Sequence, residues 1–375
     1  MRLNSITSFF SLIRAGLWEK EVQLSEINNS ELPHIYQLAQ EQCVVGLLAA
    51  GLEHLKDIRF PKSDTLSIVG DALQLEQRNL AMNHFIGVLV DKLRNAGIYP
   101  LLVKGQGVAQ CYERPLWRSC GDVDFLLDTN NYNKAKEFFA ELATSIEEEE
   151  YVSKHIGYTV DPWLVELHGH MYFGLSQRAN KVVVDVERDV LQLSGIRVWE
   201  NNGVDVYLPN PDNDIIIVFT HFLGHFCFGG VGLRQICDLC RLLWGYREQI
   251  NARLLKSRLN KMRLMSEWMV FASVAVNWLG MPSEAMPFYC SDKQYQRRAK
   301  RAVKRILKSG NLGHNIDESY KACNNKLKSA IITFYHRFSE YISLVTVFPM
   351  DAHLFFFNYL FDKKRISKAK KENRS

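Results

Sequence analysis

Apolar positions at three- and four-residue spacing dominate the first 95 residues. Val44, Leu48, Leu52 and Leu55 form one series and Met82, Phe85, Leu89 and Leu93 another, the pattern of helices with one buried face. Gly97 stops the second series as a residue just past a helix C-terminus would. The period then changes. Tyr99–Val103 (YPLLV), Asp122–Leu127 (DVDFLL) and Trp163–His168 (WLVELH) predict short strands, and Lys181–Val186 predicts a further one. Lys104-Gly105-Gln106-Gly107 turns the chain from the first strand into a helix through about Tyr112. A second helix follows near Tyr132–Leu142, then a loop with the acidic run Glu147–Glu150. From Asp212 onward the pattern predicts helices over 212–226, 233–249, 252–279, 292–309, 326–346 and 352–361. The expected organisation is a helical segment (1–95), a small mixed-sheet core (96–210), a helical bundle (211–362) and a tail (363–375), an α+β arrangement.

Composition adds little to this picture and removes several classes. At 375 residues, 47% apolar and 23% charged, the chain is globular in composition rather than disordered, collagen-like or of low complexity. The longest apolar stretch, Trp268–Met281, is interrupted by Ser273 and Asn277 and falls short of a membrane span. Phe9–Ile13 is too short for the apolar core of a secretory signal, so the expectation is a cytoplasmic protein. Eight cysteines are too sparse for a disulfide framework. The Cys237-x-x-Cys240 pair lies inside a helical pattern with no second pair to complete a zinc set, which predicts buried free thiols.

Charge is unevenly placed. The net +5 conceals two basic segments: residues 293–308 carry eight Lys/Arg and no acid, and residues 363–375 carry seven with a single acid, Glu372. A solvated helix face and tail account for them. The sharper reading is contact with an anionic partner: nucleic acid, a phosphorylated substrate or an anionic membrane surface.

The chemistry gathers in the middle of the chain. Asp122 and Asp124 flank Val123 in an extended run, so both carboxylates point to one face. Two like charges there are costly without a cation, and Mg²⁺ meets that need with carboxylates, phosphate oxygens and water. Glu166, a lone acid inside an apolar run, could meet the pair from an adjacent antiparallel strand. Three converging carboxylates can hold the ions that clamp attacking and leaving oxygens in phosphoryl transfer. Lys104 and Gly105, between a strand and a helix, form an anion site by geometry, with Gly105 and Gly107 allowing close backbone approach.

Taken in order, Lys104-Gly105, Tyr112-x-x-Pro115-x-x-Arg118, Gly121-Asp122-Val123-Asp124-Phe125-Leu126-Leu127 and Val165-Glu166-Leu167-His168 resemble the motifs of the uncharacterised nucleotidyltransferases of the polymerase-beta-like superfamily. His221, His225, Arg234, Asp238 and Gly310-Asn311 extend the resemblance, which spans roughly residues 30–345. It implies a nucleotidyltransferase core with a small mixed sheet and Mg²⁺, or Mn²⁺ in its place, held by Asp122, Asp124 and Glu166. It implies a phosphate loop at Lys104, Gly105 and Gln106. The implied reaction moves a nucleoside monophosphate from an NTP to a hydroxyl of a sugar, glycan, protein or RNA, with an association to polysaccharide biosynthesis. Many members of the wider superfamily carry Gly-Ser or Gly-Gly at the loop, where this chain has Lys-Gly-Gln. The rival reading is a fold that has lost catalysis and acts as a binding protein through its basic C-terminal region.

The remaining candidates keep two readings each. Arg118 contacts the triphosphate or makes a structural ion pair with an Asp. His168 shares the strand face of Glu166, either as its partner or as a satisfied core histidine. His221 and His225 lie on one helix face, linking the bundle to the core or recognising base or acceptor, and Asp238 could hydrogen-bond one of them. Arg234 follows the turn Gly229-Gly230-Val231-Gly232, and as a cation near a flexible turn it either reaches substrate or does not.

Overall fold

Four helices open the chain: α1 (Leu3–Trp18), α2 (Leu32–Glu41), α3 (Val45–Glu53) and α4 (Lys62–Asn95). The structure, a computed structural model, describes residues 3–23, 31–56, 60–150, 153–192, 194–313, 315 and 326–355. Two glycines let α1 and α3 cross with their backbones touching. A Cβ on Gly16 would lie 2.0 Å from the Leu47 carbonyl oxygen, and one on Gly51 would lie 2.1 Å from that of Leu12.

After α4 come β1 (Leu101–Val103), α5 (Gly105–Ala109), β2 (Asp122–Leu126), α6 (Thr129–Leu142), β3 (Ser145–Ile146), β4 (His155–Val160) and β5 (Trp163–His168). They build one five-stranded sheet in the order β1-β2-β5-β4-β3. It is mixed: β2 and β5 run parallel, and the other neighbours are antiparallel. The expected antiparallel pairing of the Glu166 strand with the Asp strand is therefore corrected. The cause is the Asp161-Pro162 connection, which folds β4 back on β5 as a hairpin and leaves β5 facing β2 in the same direction. The register sets Asp124 beside Glu166 all the same.

Alternation sorts the two faces. Val123, Phe125, Val165, Leu167, Ile156 and Tyr158 pack with Ile86, Leu89 and Leu93 of α4 and with Tyr132 and Phe139 of α6. The opposite face carries the acids. Along its edge Leu101, Val103 and Leu126 join a larger core that reaches α1 at one end and the last helices at the other.

Next come α7 (Gln177–Leu191), the hairpin β6 (Ile196–Asn201) and β7 (Val204–Pro209), and then α8 (Pro211–Phe228), α9 (Leu233–Gly245), α10 (Ala252–Met262), α11 (Met265–Asn277), α12 (Lys293–Ser309) and α13 (Lys326–Val347). The strand expected at Lys181–Val186 is helical. The Ser176 side chain caps α7 by accepting from the Ala179 N–H, and Val182, Val183, Val186 and Val190 bury one helical stripe. Spacing prevailed there over the strand preference of β-branched residues. The single helix expected over 252–279 is two, broken where Arg263 takes a left-handed conformation at φ +59°. Cys237 and Cys240 are buried free thiols.

The basic segment 293–308 forms α12, with Ala299, Ala302, Val303, Ile306 and Leu307 as its buried stripe. Several of its cations are committed within the fold. Arg298 donates to the Val347 carbonyl and the Ser266 hydroxyl, Arg301 to the Thr346 carbonyl, and Arg305 to the carbonyls of Phe226 and Glu340. The basic tail 363–375, and most of the helix expected over 352–361, lie outside the described residues. No helix among the described residues is long and apolar enough to cross a membrane.

The α1–α3 crossing yields a paired test. Gly51→Ala should destabilise the protein by about 3 kcal/mol, because backbone cannot yield as a side chain does. Gly70→Ala in α4, where a Cβ meets nothing within 4 Å, should be neutral or stabilise by up to about 1 kcal/mol. Urea midpoints of the two variants against the parent chain decide it, and equal midpoints would contradict the close crossing.

Candidate active site

The loop after β1 places the first group. Lys104 sits at φ +59° and ψ −143°, and Gly105 follows at φ +40°. A non-glycine residue held at that conformation costs about 1–3 kcal/mol. The strained turn carries Lys104 Nζ to 2.8 Å from Asp124 Oδ1, where the side chain is only 13% exposed.

β2 and β5 supply the acids. Asp124 is 3% exposed and faces Glu166 across the parallel register. His168 Nε2 lies 2.8 Å from Asp124 Oδ1 and 3.5 Å from Glu166 Oε2, so one nitrogen touches both carboxylates. His155, opposite His168 on β4, brings its own Nε2 to 3.1 Å from the same Glu166 oxygen. Asp122 lies one turn of the pleat away on the same face.

The electrostatics follow from crowding charge in a poorly solvated place. Burial and the neighbouring Asp124 charge push the Asp122 carboxyl above its ordinary value, and the nearby Lys104 only partly offsets them. Burial also works against an ionised Glu166. Hydrogen bonds from His155 and His168, with the Lys104 charge, override it and hold this carboxyl well below the usual range. The bond to Glu166 raises His155. Burial alone would lower Lys104, but Asp124, Asp122 and Glu166 together hold it above the ordinary lysine value.

The facing wall is helical. His221 and His225 of α8 place their Nε2 atoms 3.2 Å apart. Burial and then the Lys104 charge push both down, His221 well below the ordinary histidine value and His225 to about 4. On α9, Asp238 does not bond either histidine. It accepts from Arg118 Nε at 2.9 Å and Nη2 at 2.7 Å, and from the Tyr112 hydroxyl at 2.8 Å. This buried fork joins the chain ahead of β2 to α9. The Arg118 guanidinium is thereby engaged in a structural pair, its third contact being the Ser119 carbonyl. Arg234 Nη1 donates to that same carbonyl at 2.7 Å.

These groups surround one cavity of about 330 Å³, within the size range of small-molecule sites. Lys104, Gly105, Arg118, Asp122, Asp124, Glu166, His168, His221, His225, Arg234 and Asp238 all reach its wall. Gln106 does not. It is 1% exposed and donates to Asn79 Oδ1 at 2.7 Å, so its side chain turns toward α4 instead of a phosphate.

His155 and Gln235 are among the wall residues that escaped the sequence reading. His155 could have been found from the hairpin: folding the chain about Asp161-Pro162 pairs position 155 with 168. Gln235, 5% exposed on α9, lines the cavity with neither its amide oxygen nor its amide nitrogen hydrogen-bonded. No spacing marks such a residue, since its distinction is a missing partner.

A five-stranded mixed sheet with clustered acids, capped by helices at both ends of the chain, defines an α+β protein of nucleotidyltransferase type. Residues 28–280 match the family model described as an uncharacterised nucleotidyltransferase, and the chain belongs to that family. Comparisons with curated proteins and with solved structures find no match.

Two outcomes test this geometry. Arg118→Ala should cost about 3–5 kcal/mol in urea unfolding, because it strands a buried carboxylate. Arg118→Lys should recover only part, since an ammonium cannot span both oxygens. The histidine pair predicts an acid-sensitive fold. With His225 near 4 in the folded chain and about 6.5 when unfolded, the unfolded chain takes up the proton first. Its contribution therefore falls as pH drops from about 6.5 toward 4, by about 1.4 kcal/mol per pH unit, and is nil above that window. His225→Leu should flatten the decline between pH 7.5 and 5, and an unchanged slope would contradict it.

Proposed function

We propose that the protein is a Mg²⁺-dependent nucleotidyltransferase moving a nucleoside monophosphate from an NTP to a hydroxyl acceptor. The observation that carries this reading is the meeting of Asp122, Asp124, Glu166 and Lys104 at one cavity in a chain of nucleotidyltransferase family. The donor set fits a divalent ion: the carboxylates are hard oxygen ligands, and Asp122 is left under-compensated by the cations present. Asp122 and Asp124 would hold the ion, with Glu166 completing the set. Bound there, the ion supplies charge neutralisation for the triphosphate and alignment of the reacting oxygens.

The chain's own groups take the other tasks. Lys104, charged and aimed into the acid cluster, exchanges part of its pairing with Asp124 for the phosphate chain and steadies departing pyrophosphate. Glu166 is held ionised by two histidines. A carboxylate so stabilised is a weak base, which favours a ligand role over taking a proton from the acceptor. The unpaired Gln235 amide is assigned to ligand contact, because a buried amide without a partner costs about 1–3 kcal/mol that a bound hydroxyl or base edge would relieve. The acceptor hydroxyl belongs to a sugar or glycan, a protein or an RNA; the first would agree with the association to polysaccharide biosynthesis that the family resemblance carries.

Incubation with each labelled NTP and Mg²⁺, with and without candidate acceptors, tests the reading through pyrophosphate release. Asp124→Asn should lower the rate by about 100-fold or more, equivalent to losing several kcal/mol of transition-state charge stabilisation. Release that is absent with every NTP, or undiminished in folded Asp122→Asn and Asp124→Asn, would refute it.

A further inference from the structure

The acid cluster has a second end of different chemistry. His155, Glu166 and His168 each offer one ligand atom, and the three atoms lie within 4.8 Å of one another. They are His155 Nε2, His168 Nε2 and Glu166 Oε2, with the two nitrogens 3.1 Å and 3.5 Å from the oxygen. Two ligands of a tetrahedral ion with bonds of about 2.0–2.1 Å stand about 3.3 Å apart. The two nitrogen–oxygen spacings bracket that value, and the two nitrogens lie within 4.8 Å of each other.

We propose that this trio is a transition-metal site of the zinc class, distinct in ligand chemistry from the oxygen site at Asp122 and Asp124. Imidazole nitrogen favours zinc, iron, cobalt or nickel, while Mg²⁺ prefers all-oxygen surroundings. Asp122 and Asp124 offer only oxygen, and the trio offers two nitrogens to one oxygen.

The frame supports binding. All three side chains rise from β4 and β5, whose hairpin register sets His155 directly against His168; ligands on paired strands are held more closely than ligands on loops. The two rings stand side by side with centroids 4.7 Å apart, so both Nε2 atoms reach the same carboxylate oxygen. The neighbouring Asp124 Oδ1 is shared by Lys104 and His168. Metal uptake through His168 Nε2 would displace its 2.8 Å hydrogen bond to Asp124 Oδ1, leaving that oxygen to Lys104, and three protein ligands would leave a fourth position for water or substrate, as in a catalytic zinc site. Glu166 is common to both ends, so the two sites would be adjacent and joined through its carboxylate. The rival account is a hydrogen-bonded His–Glu–His network without metal. It differs in one observable, stoichiometric metal uptake.

The proposal does not rest on nucleotidyl transfer and is tested apart from it. The full chain is stripped with chelator, dialysed against Zn²⁺ or Co²⁺, and assayed for bound metal and for the visible absorption of tetrahedral Co²⁺. One ion per chain is expected, with the intense Co²⁺ bands. His155→Gln and His168→Gln should each weaken binding by about 100-fold or more, and Asp122→Asn, which touches none of the three ligands, should retain it. Far-UV circular dichroism and the thermal midpoint of each variant separate lost ligation from lost fold, with Glu166→Gln as a further ligand variant. Failure of the parent chain to hold stoichiometric metal, or equal retention by folded histidine variants, overturns the site. Absent pyrophosphate release alongside intact Co²⁺ binding would refute the enzymatic reading alone, and Mg²⁺-dependent release without Co²⁺ binding would refute this inference alone.

Discussion

Three carboxylates on one sheet face need positive charge close by, and most of the cavity's construction follows from that need. Asp124 Oδ1 is approached by Lys104 Nζ and His168 Nε2, each at 2.8 Å. To deliver that ammonium the backbone at Lys104 occupies a region that side chains rarely adopt. The strain is the local cost of compensation. Even so, compensation is uneven. Glu166 is held ionised by two imidazoles, while Asp122 is pushed toward its neutral form. A cation entering beside Asp122 would reverse that bias, which is what the proposed divalent ion would do.

The helical wall stays in place through a second charge pair. Arg118, just ahead of β2, and Asp238, on α9, bury a two-bond fork, and the Tyr112 hydroxyl completes it. Such a pair adds little net stability over a well-packed apolar contact. It does fix register, because losing either partner strands a charge. Here the fork ties the segment leading into β2 to α9 of the bundle. Arg118 therefore acts on the cavity by holding its walls, a role that its place just ahead of the paired aspartates concealed.

Legibility followed periodicity. The amphipathic helices and the strands Asp122–Leu127 and Trp163–His168 stood out because burial repeats at 3.6 or 2 residues. Two errors came where local preference and long-range packing disagreed. The valines of α7 favour strand as residue types, yet lie at helical spacing behind a Ser176 cap. The α10–α11 break falls on an arginine in a conformation usually given to glycine. Strand direction was hidden for another reason: alternation fixes which face a side chain takes, not which way a neighbouring strand runs. Asp124 and Glu166 met under either direction, so the acid cluster was readable while the topology was not. The Gln106 side chain misses the cavity because a turn motif fixes only the backbone, and burial against Asn79 then decided where the side chain went.

The two walls of the cavity divide the chemistry between them. The sheet wall carries the acids, Lys104 and the imidazoles that touch the acids. The helical wall presents His221 and His225, kept uncharged by burial and by the Lys104 field, and the unpaired Gln235 amide. In the proposed reaction, charge develops on phosphate oxygens and must lie against the sheet, where cations gather. The uncharged wall suits the parts of a ligand that keep their charge unchanged, a base or a sugar. On that proposal, selectivity among nucleotides and acceptors would belong to α8 and α9, and reactivity to β2, β4 and β5.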